Sequence, residues 1–397
     1  MISDTLKGLV VLDFGQLIAA PVCSMWLADL GATVVKVEPP QGELARHMGP
    51  PSVKGESFVL LSSNRNKLGL TLDLKHADAP ALLQRMVKST DVVVQNFRPG
   101  VAERLGLGWE DLSQINPDLV YCAISAYGQD NAWRLRPGVD GIVQASSGMM
   151  STILGPDGPG KVPLPLADMT AAMFSVISIL SALRRRDAGM GGSFLDIDLF
   201  NGMMMLQQLN LSAWLTNGDL PTPSGSAASY AAPNETFPTL NGWIMVAAYQ
   251  PTRWRAFCDV LEAPQVHDDP RFAANADRVA NRAALHEVLN PILATRSSED
   301  WTNRFLARDV MAAPVATYAD VTASEGYRAD RVEVSARHPV AGEVRTPGWA
   351  FETSAPNQAA APELGQHSRE AMALMRFTQE EIDSLIRSGV VIEGRSG

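Results

Sequence analysis

The sequence predicts an α/β protein, with a doubly wound, Rossmann-like parallel sheet and a second, smaller domain. Three observations predict it. In the first third of the chain, short β-branched runs alternate with helical patterns. Those runs are continuously apolar rather than alternating, as strands covered on both faces are. The length of 397 residues exceeds one ordinary core, and a turn-rich stretch, NGDLPTPSGSAASYAAPNETF (217–237), reads as a linker.

In order, GLVVLDFG gives a strand ending near Asp13, and Pro21–Leu30 gives a helix stopped by Gly31. ATVVKVE is a strand ending at Glu38, LGLTLDLK (68–75) a third, ALLQRMVKS (81–89) a helix, and DVVVQNF (91–97) a fourth strand. VAERLG and WEDLSQIN are helical, and LVYCAISAYG (119–128) is a fifth strand. An apolar helix begins near Asp168, followed by the strand SFLDIDLF and a long Met-rich helix, NGMMMLQQLNLSAWLT. The second domain spans 226–330, with LNGWIMVAAY as a hairpin arm and helices at 252–261, 280–293 and 298–308. The tail adds a strand-like VAGEVRTPGWAF and a helix at 378–388.

Composition narrows the function. The chain is 46% hydrophobic and 19% charged with a net charge of −10, which suits a globular protein and lacks the basic footprint of nucleic-acid binding. MISDTLKGLVVLDFG has no basic-then-apolar leader pattern. The longest uncharged apolar stretch, Met169 to Leu183, is shorter than the ~18 residues that suggest a membrane span. Cys23, Cys122 and Cys258 are an odd, sparse set, so a reducing cytoplasm is expected rather than a disulfide framework. Six scattered histidines have no ligand spacing, and no metal site is expected.

Three stretches invite chemistry. The first βα turn, DFGQLIAAP, has one glycine where a dinucleotide fingerprint needs three, although Glu38 stands where a ribose-binding acid would. In VVVQNFRPGVAERLG (92–106), Asn96, Phe97 and Arg98 follow a strand and Arg104 lies just inside the next helix. An aromatic–arginine pair can stack on a purine, and a second arginine can hold phosphate. Lys75 points to the same edge, so these residues suggest an anionic nucleotide; an ordinary Pro-Gly turn with surface charges is the plainer alternative. In PLPLADMTAAMFSVISILSALRRR (163–186), Asp168 is the one acid ahead of a core helix whose apolar positions are Met169, Met173, Val176, Leu180 and Leu183. Asp168 reads either as the helix N-cap or as a nucleophile kept ionised by the helix dipole. Glycines 138, 141, 148, 155, 158 and 160 would let backbone approach a ligand or form a mobile loop. The Met cluster 203–205 reads as core, and His47 and His367 as surface residues.

Taken together, these stretches resemble the family III CoA-transferases, the CaiB/BaiF group that includes formyl-CoA and carnitine CoA-transferases. The likeness covers nearly the whole chain. It rests on LDFGQLIAAPVCSMWLADLGATVVKVEPPQGE, NRNKLGLTLDLK, DVVVQNFRPGVAERLGLGWEDL, NPDLVYCAISAYGQ, RPGVDGIVQASSG, LADMTAA, LDIDLFNGM and NGWIMVA, in that order. The resemblance implies a large domain built from both termini (1–225 and 331–397) around the inserted 226–330, and an interlocked homodimer. It implies Asp168 as nucleophile. CoA would lie along Leu72, Lys75, Asn96, Phe97, Arg98 and Arg104, with Arg136 as a further phosphate contact; Gln144 and Gly155, Gly158 and Gly160 would face the acyl group. Its substrates would be an acyl-CoA donor and a carboxylic acid acceptor, with no tightly bound cofactor.

The sequence departs from the pattern at Pro39 and Pro137, where some members place CoA-binding cations, and AAYQPTRW (247–254) has no glycine-rich lid. The related α-methylacyl-CoA racemases pair the aspartate with a histidine where this chain has Gly138, Val139 and Asp140, which argues against racemisation. A non-catalytic acyl-CoA-binding subunit of a two-chain transferase is the other alternative.

Overall fold

The computed structural model describes residues 4–155, 158–220, 223, 225–348 and 358–394. It is a mixed α/β protein with a large, mostly parallel sheet. The strands expected in the first half are β1 (Val10–Asp13), β2 (Thr33–Glu38), β3 (Lys67–Leu72), β4 (Val92–Gln95), β5 (Val120–Ser125) and β6 (Ser193–Asp198). They lie in the order β3-β2-β1-β4-β5-β6, all parallel, and a short C-terminal strand, Val391–Ile392, adds antiparallel to β3. β1 is shared, with Val11 opposite Val34 on one side and Val92 on the other. The apolar runs follow from this position: every residue of β4 and β5 is buried, so neither face of those strands can be polar without a partner. The chain reverses direction across the sheet between β1 and β4. Ligands bind at such a switch, outside the carboxyl ends of the strands.

Helix α1 (Ala19–Asp29) packs beside α2 (Leu166–Arg185), the helix that carries Asp168. The buried residues of α2 include the small or β-branched Ala171, Ser175, Val176 and Ile179, whose short side chains permit close packing of neighbouring elements. Met173 and Ile177, on the opposite face, are 44% and 58% exposed, so the expectation of Met173 in the core is corrected. α2 and its extension to Met190 are long and apolar enough to span a bilayer by composition, but half of the apolar window is buried inside the protein, as in a core helix.

The contacts divide the chain into two units: 1–147, 162–208 and 328–397 in the first, and 148–161 with 209–327 in the second. The second unit has a three-stranded antiparallel sheet, β7 (Asn234–Thr239), β8 (Gly242–Ala247) and β9 (Met311–Pro314). Helices α3 (Pro251–Val260), α4 (Arg282–Leu293) and α5 (Ser298–Leu306) share a core with it around Phe237, Ile244, Trp254, Phe257 and Phe305. Returning to the first unit, β10 (Glu333–His338) and β11 (Gly342–Pro347) form a hairpin in the tail.

Local differences from the expected elements have local causes. β3 ends at Leu72, leaving Lys75 in the turn beyond it. The Met-rich helix breaks at Gln207, whose amide donates to the carbonyls of Met203 and Ser147. Only Met203 of the Met cluster is buried, and Met205 is exposed. The end of the supposed linker is strand β7, while residues 221, 222 and 224 lie outside the described residues. Residues 349–351 of the strand-like tail piece also lie outside them. His367 is half-buried; its Nδ1 accepts from Gly69 N at 3.1 Å.

Candidate active site

The turn between β1 and α1 sits at the switch point, and buried side chains satisfy its backbone. Asp13 Oδ1 accepts from Gly15 N at 2.7 Å, and Lys36 Nζ donates to Gly15 O at 3.3 Å. The Asn96 side chain accepts from Gln16 N at 2.8 Å and donates to Gln16 O at 2.9 Å. Glu43 Oε2 accepts from Leu17 N at 2.8 Å, at a residue with φ 63°. Gly15 is required here, because a Cβ would lie 2.6 Å from Asp13 Oδ1 and from the Ala20 Cβ. The turn's N–H groups are therefore spent on protein acceptors, where a dinucleotide fold offers them to phosphate.

The anchoring charges are paired among themselves. Lys67 Nζ reaches Asp13 Oδ2 at 2.8 Å, Asn64 Oδ1 at 2.7 Å and Pro21 O at 2.7 Å, and Lys36 reaches Glu43 Oε1 at 2.7 Å. The side chains of Asp13, Lys36 and Lys67 have no exposed surface. Burial pushes the Asp13 carboxyl up, but Lys67 and Lys36 outweigh it and hold the group below the usual range. Burial lowers Lys67 to about 8 despite Asp13. Glu38 is spent on Arg46, which binds it through two nitrogens at 2.6 and 2.7 Å; it is not free to hold a ribose.

A pocket of about 530 Å³ opens over the ends of β1 to β4. Phe14, Gly15 and Gln16 line it from β1, Pro39 from β2, Asp73, Leu74 and Lys75 from β3, and Phe97 from β4.

The second constellation lies at the start of α2. Pro165 is the N-cap position, and Asp168 is the third residue of the helix, with no capping bond. The reading of Asp168 as the cap is corrected: the cap comes from Asp140, whose Oδ1 accepts from Ala167 N at 2.7 Å. Gln144 Nε2 donates to the other oxygen of Asp140 at 2.8 Å and to the carbonyls of Val162 and Leu164, and Gln144 Oε1 accepts from Val162 N at 3.0 Å. Asp140 reaches this place from a helix that begins just after Gly138. A Cβ on Gly138 would stand 2.5 Å from the Ala126 Cβ, so the segment fits only without one. Asp168 has no hydrogen-bond or ion-pair partner among the described residues. Burial first, then the neighbouring Asp140 charge, raise its carboxyl to about 7. The direction is opposite to the one expected from the helix dipole, and its causes are desolvation and a like charge.

A family profile for CoA-transferase family III matches residues 6–368. The chain belongs to CoA-transferase family III. It is an enzyme of the CoA-transferase class. It is 30% identical to succinyl-CoA:glutarate CoA-transferase of Mus musculus over 97% of this chain and 90% of that protein. It is 34% identical to acetyl-CoA:oxalate CoA-transferase of Acetobacter aceti over 79% of this chain and 81% of that protein. A CAIB/BAIF family protein from Brucella suis superposes with a TM-score of 0.82 at 31% identity, covering 93% of this chain and 99% of that one.

The residues expected around CoA fall into two groups. Lys75 and Phe97 line the 530 Å³ pocket with Val101 and Leu105, and Arg98 and Arg104 are exposed on the same short connection. Leu72 is 1% exposed inside the core, with Asp73 and Leu74 lining the pocket in its place. Asn96 is occupied by the Gln16 backbone. Arg136 stacks on Trp133 at 4.3 Å, and Gln144 is fully buried with both ends of its amide bonded to protein. Gly155, Gly158 and Gly160 belong to the other unit. Gly155 and Gly158 pair in a short two-stranded antiparallel sheet, and Gly160 N donates to Ile153 O at 2.6 Å. Sequence reasoning missed Asp140 as the cap; the signal was present as an acid beside Gly138, but it was weighed only as the absence of a histidine. No metal-ligating cluster occurs among the described residues.

Proposed function

We propose that this enzyme moves CoA from an acyl-CoA thioester to a free carboxylic acid, with Asp168 as the covalent carrier. An Asp168 oxygen attacks the thioester carbonyl, the C–S bond breaks, and CoA thiolate leaves a mixed anhydride. The thiolate attacks the aspartyl carbonyl and expels the donor carboxylate, giving an aspartyl-CoA thioester. The acceptor carboxylate then attacks that carbonyl and releases the thiolate, which takes the acyl group from the second anhydride and frees Asp168. Splitting one transfer into such steps is the advantage of a covalent nucleophile.

The observation that carries the reading is a partly buried carboxylate with no hydrogen-bond partner among the described residues, where the buried Asp13 and Glu38 are paired with cations. A carboxylate stripped of donors keeps its electron pairs for attack, and dry surroundings protect an anhydride from water. The nucleotide end of CoA is assigned to the pocket over β1 to β4, with Phe97 against the base and Lys75, Arg98 and Arg104 near the phosphates. The reading includes a cytoplasmic homodimer; the exposed Met173 and Ile177 suit a protein contact.

The test is peptide mass spectrometry after incubation with acyl-CoA thioesters and hydroxylamine. An acyl or CoA adduct, or its hydroxamate, on Asp168 and absent from Asp168→Ala is expected. No adduct with any thioester that binds would overturn the mechanism.

A further inference from the structure

The helix Asp140–Ser146 commits two side chains to the segment that leads into α2. Asp140 and Gln144 are four residues apart, so they share one face of that helix. Gln144 is fully buried, and both ends of its amide are used. Nε2 donates to Asp140 Oδ2 at 2.8 Å and to the carbonyls of Val162 and Leu164, each at 3.2 Å. Oε1 accepts from Val162 N at 3.0 Å. Asp140 Oδ1 in turn accepts at 2.7 Å from the amide of Ala167, the residue before Asp168. The first amides of a helix have no acceptor within it, and Pro165, at the cap position, has no side-chain oxygen to offer. The start of α2 is therefore held from a neighbouring helix. A buried apolar side chain could fill the place of Gln144, but only an amide can donate to carbonyls and accept from an N–H of the same segment at once.

We infer that Gln144 and Asp140 are positioning residues for acyl transfer: by fixing Val162, Leu164 and Ala167 they fix where the Asp168 carboxyl stands when the acyl-CoA arrives. The inference rests on Asp168 being the carrier. A carboxylate without donors keeps its electron pairs for attack, but it also has no bond of its own to hold it. Its place then depends on the backbone of the first turn of α2, which these two side chains anchor. A displacement of about 1 Å at a reacting group can cost about a hundredfold in rate. Affinity depends mainly on the nucleotide end of CoA, assigned to the pocket over β1 to β4, so the loss should fall on rate and not on binding.

The experiment uses acetyl-, butyryl- and succinyl-CoA. Adduct formation on Asp168 is timed in a single turnover by peptide mass, below the melting temperature of every variant. Affinity for the same thioesters is measured by calorimetry in the Asp168→Asn background, where no adduct forms. Gln144→Met, which replaces the amide by an apolar chain of similar length, should slow the adduct about ten- to a hundredfold and change affinity by less than about twofold. Gln144→Glu keeps an acceptor for Val162 N but sets a second acid against Asp140; adding Asp140→Asn restores a donor between them and should regain about tenfold in rate. In the unsubstituted enzyme, hydrogen exchange at Val162 and Ala167 should be as slow as in the interior of α2. An unchanged rate in folded Gln144→Met, or equal losses of rate and affinity, would overturn the inference. Exchange at Ala167 as fast as in an exposed chain would overturn it too, and that measurement decides the matter even if the variants do not fold. Failure of the carrier reading looks different: the unsubstituted enzyme itself would form no adduct with any thioester that binds.

Discussion

The turn after β1 and the first turn of α2 both bury carboxylates, and they treat them in opposite ways. Asp13 has Lys67, Ser24 and the Gly15 amide on its two oxygens. Asp168 has none of these among the described residues, and the charge that adds to its upward shift, after burial, is that of another acid, Asp140. The first arrangement fixes a backbone; the second leaves a group under electrostatic stress. Where a fold can satisfy a buried charge and leaves one unsatisfied, the unsatisfied group is the candidate for chemistry.

The largest effect expected is on the satisfied side. Lys67→Met would leave Asp13 in a fully buried site without its closest counter-charge and should cost about 3–5 kcal/mol. Adding Asp13→Asn should recover part of that loss, because the uncompensated charge goes with it. Urea unfolding of both proteins measures the pair, and a double variant less stable than Lys67→Met would show that Asp13 acts independently of the lysine.

On the stressed side, substitution should stabilise. The native carboxyl of Asp168 titrates at about 7, above its ordinary 3.8. From pH 3.8 to 7 the native state holds a proton that the unfolded state has released, so stability falls as pH rises and the full loss is present above 7. Asp168→Asn should therefore raise stability at pH 8 by at most about 4 kcal/mol, and by little at pH 4. Melting at the two pH values distinguishes this from a pH-independent packing effect.

The same contrast explains what could be read from the sequence. The parallel strands were legible because burial on both faces writes itself as unbroken apolar runs, as in Val92–Val94 of β4 and Val120–Ile124 of β5. The placement of Lys75 and Phe97 beyond strand ends was legible, and both line the pocket there; Arg98 and Arg104 are exposed close by and do not line it. Asn96 and Gln144 were misread because an amide suits a ligand and a backbone equally well, and only tertiary geometry shows which it meets. The cap of α2 was misassigned for a similar reason. Local rules favour an acid at the start of the helix, while the actual acceptor, Asp140, lies 27 residues before the Ala167 amide that it caps. The short C-terminal strand Val391–Ile392 was missed because two residues carry no period.

The smallest predicted effect separates the two causes of stress on Asp168. Adduct formation on the unsubstituted enzyme should rise with pH through a midpoint of about 7, because only the carboxylate attacks. Asp140→Asn keeps an oxygen for the Ala167 amide and deletes the like charge. Burial, the larger cause, remains, so the midpoint should fall by less than about one pH unit. The asparagine would also set an N–H₂ group against Gln144 Nε2, which now donates to Asp140. A melting curve is therefore taken beside each profile, so that a loosened helix start is not mistaken for an electrostatic shift. A midpoint unmoved in a protein of unchanged stability would leave desolvation as the sole cause. A midpoint displaced upward would have the wrong sign for a removed anion, and would mean that Asp140 acts on Asp168 through position rather than charge.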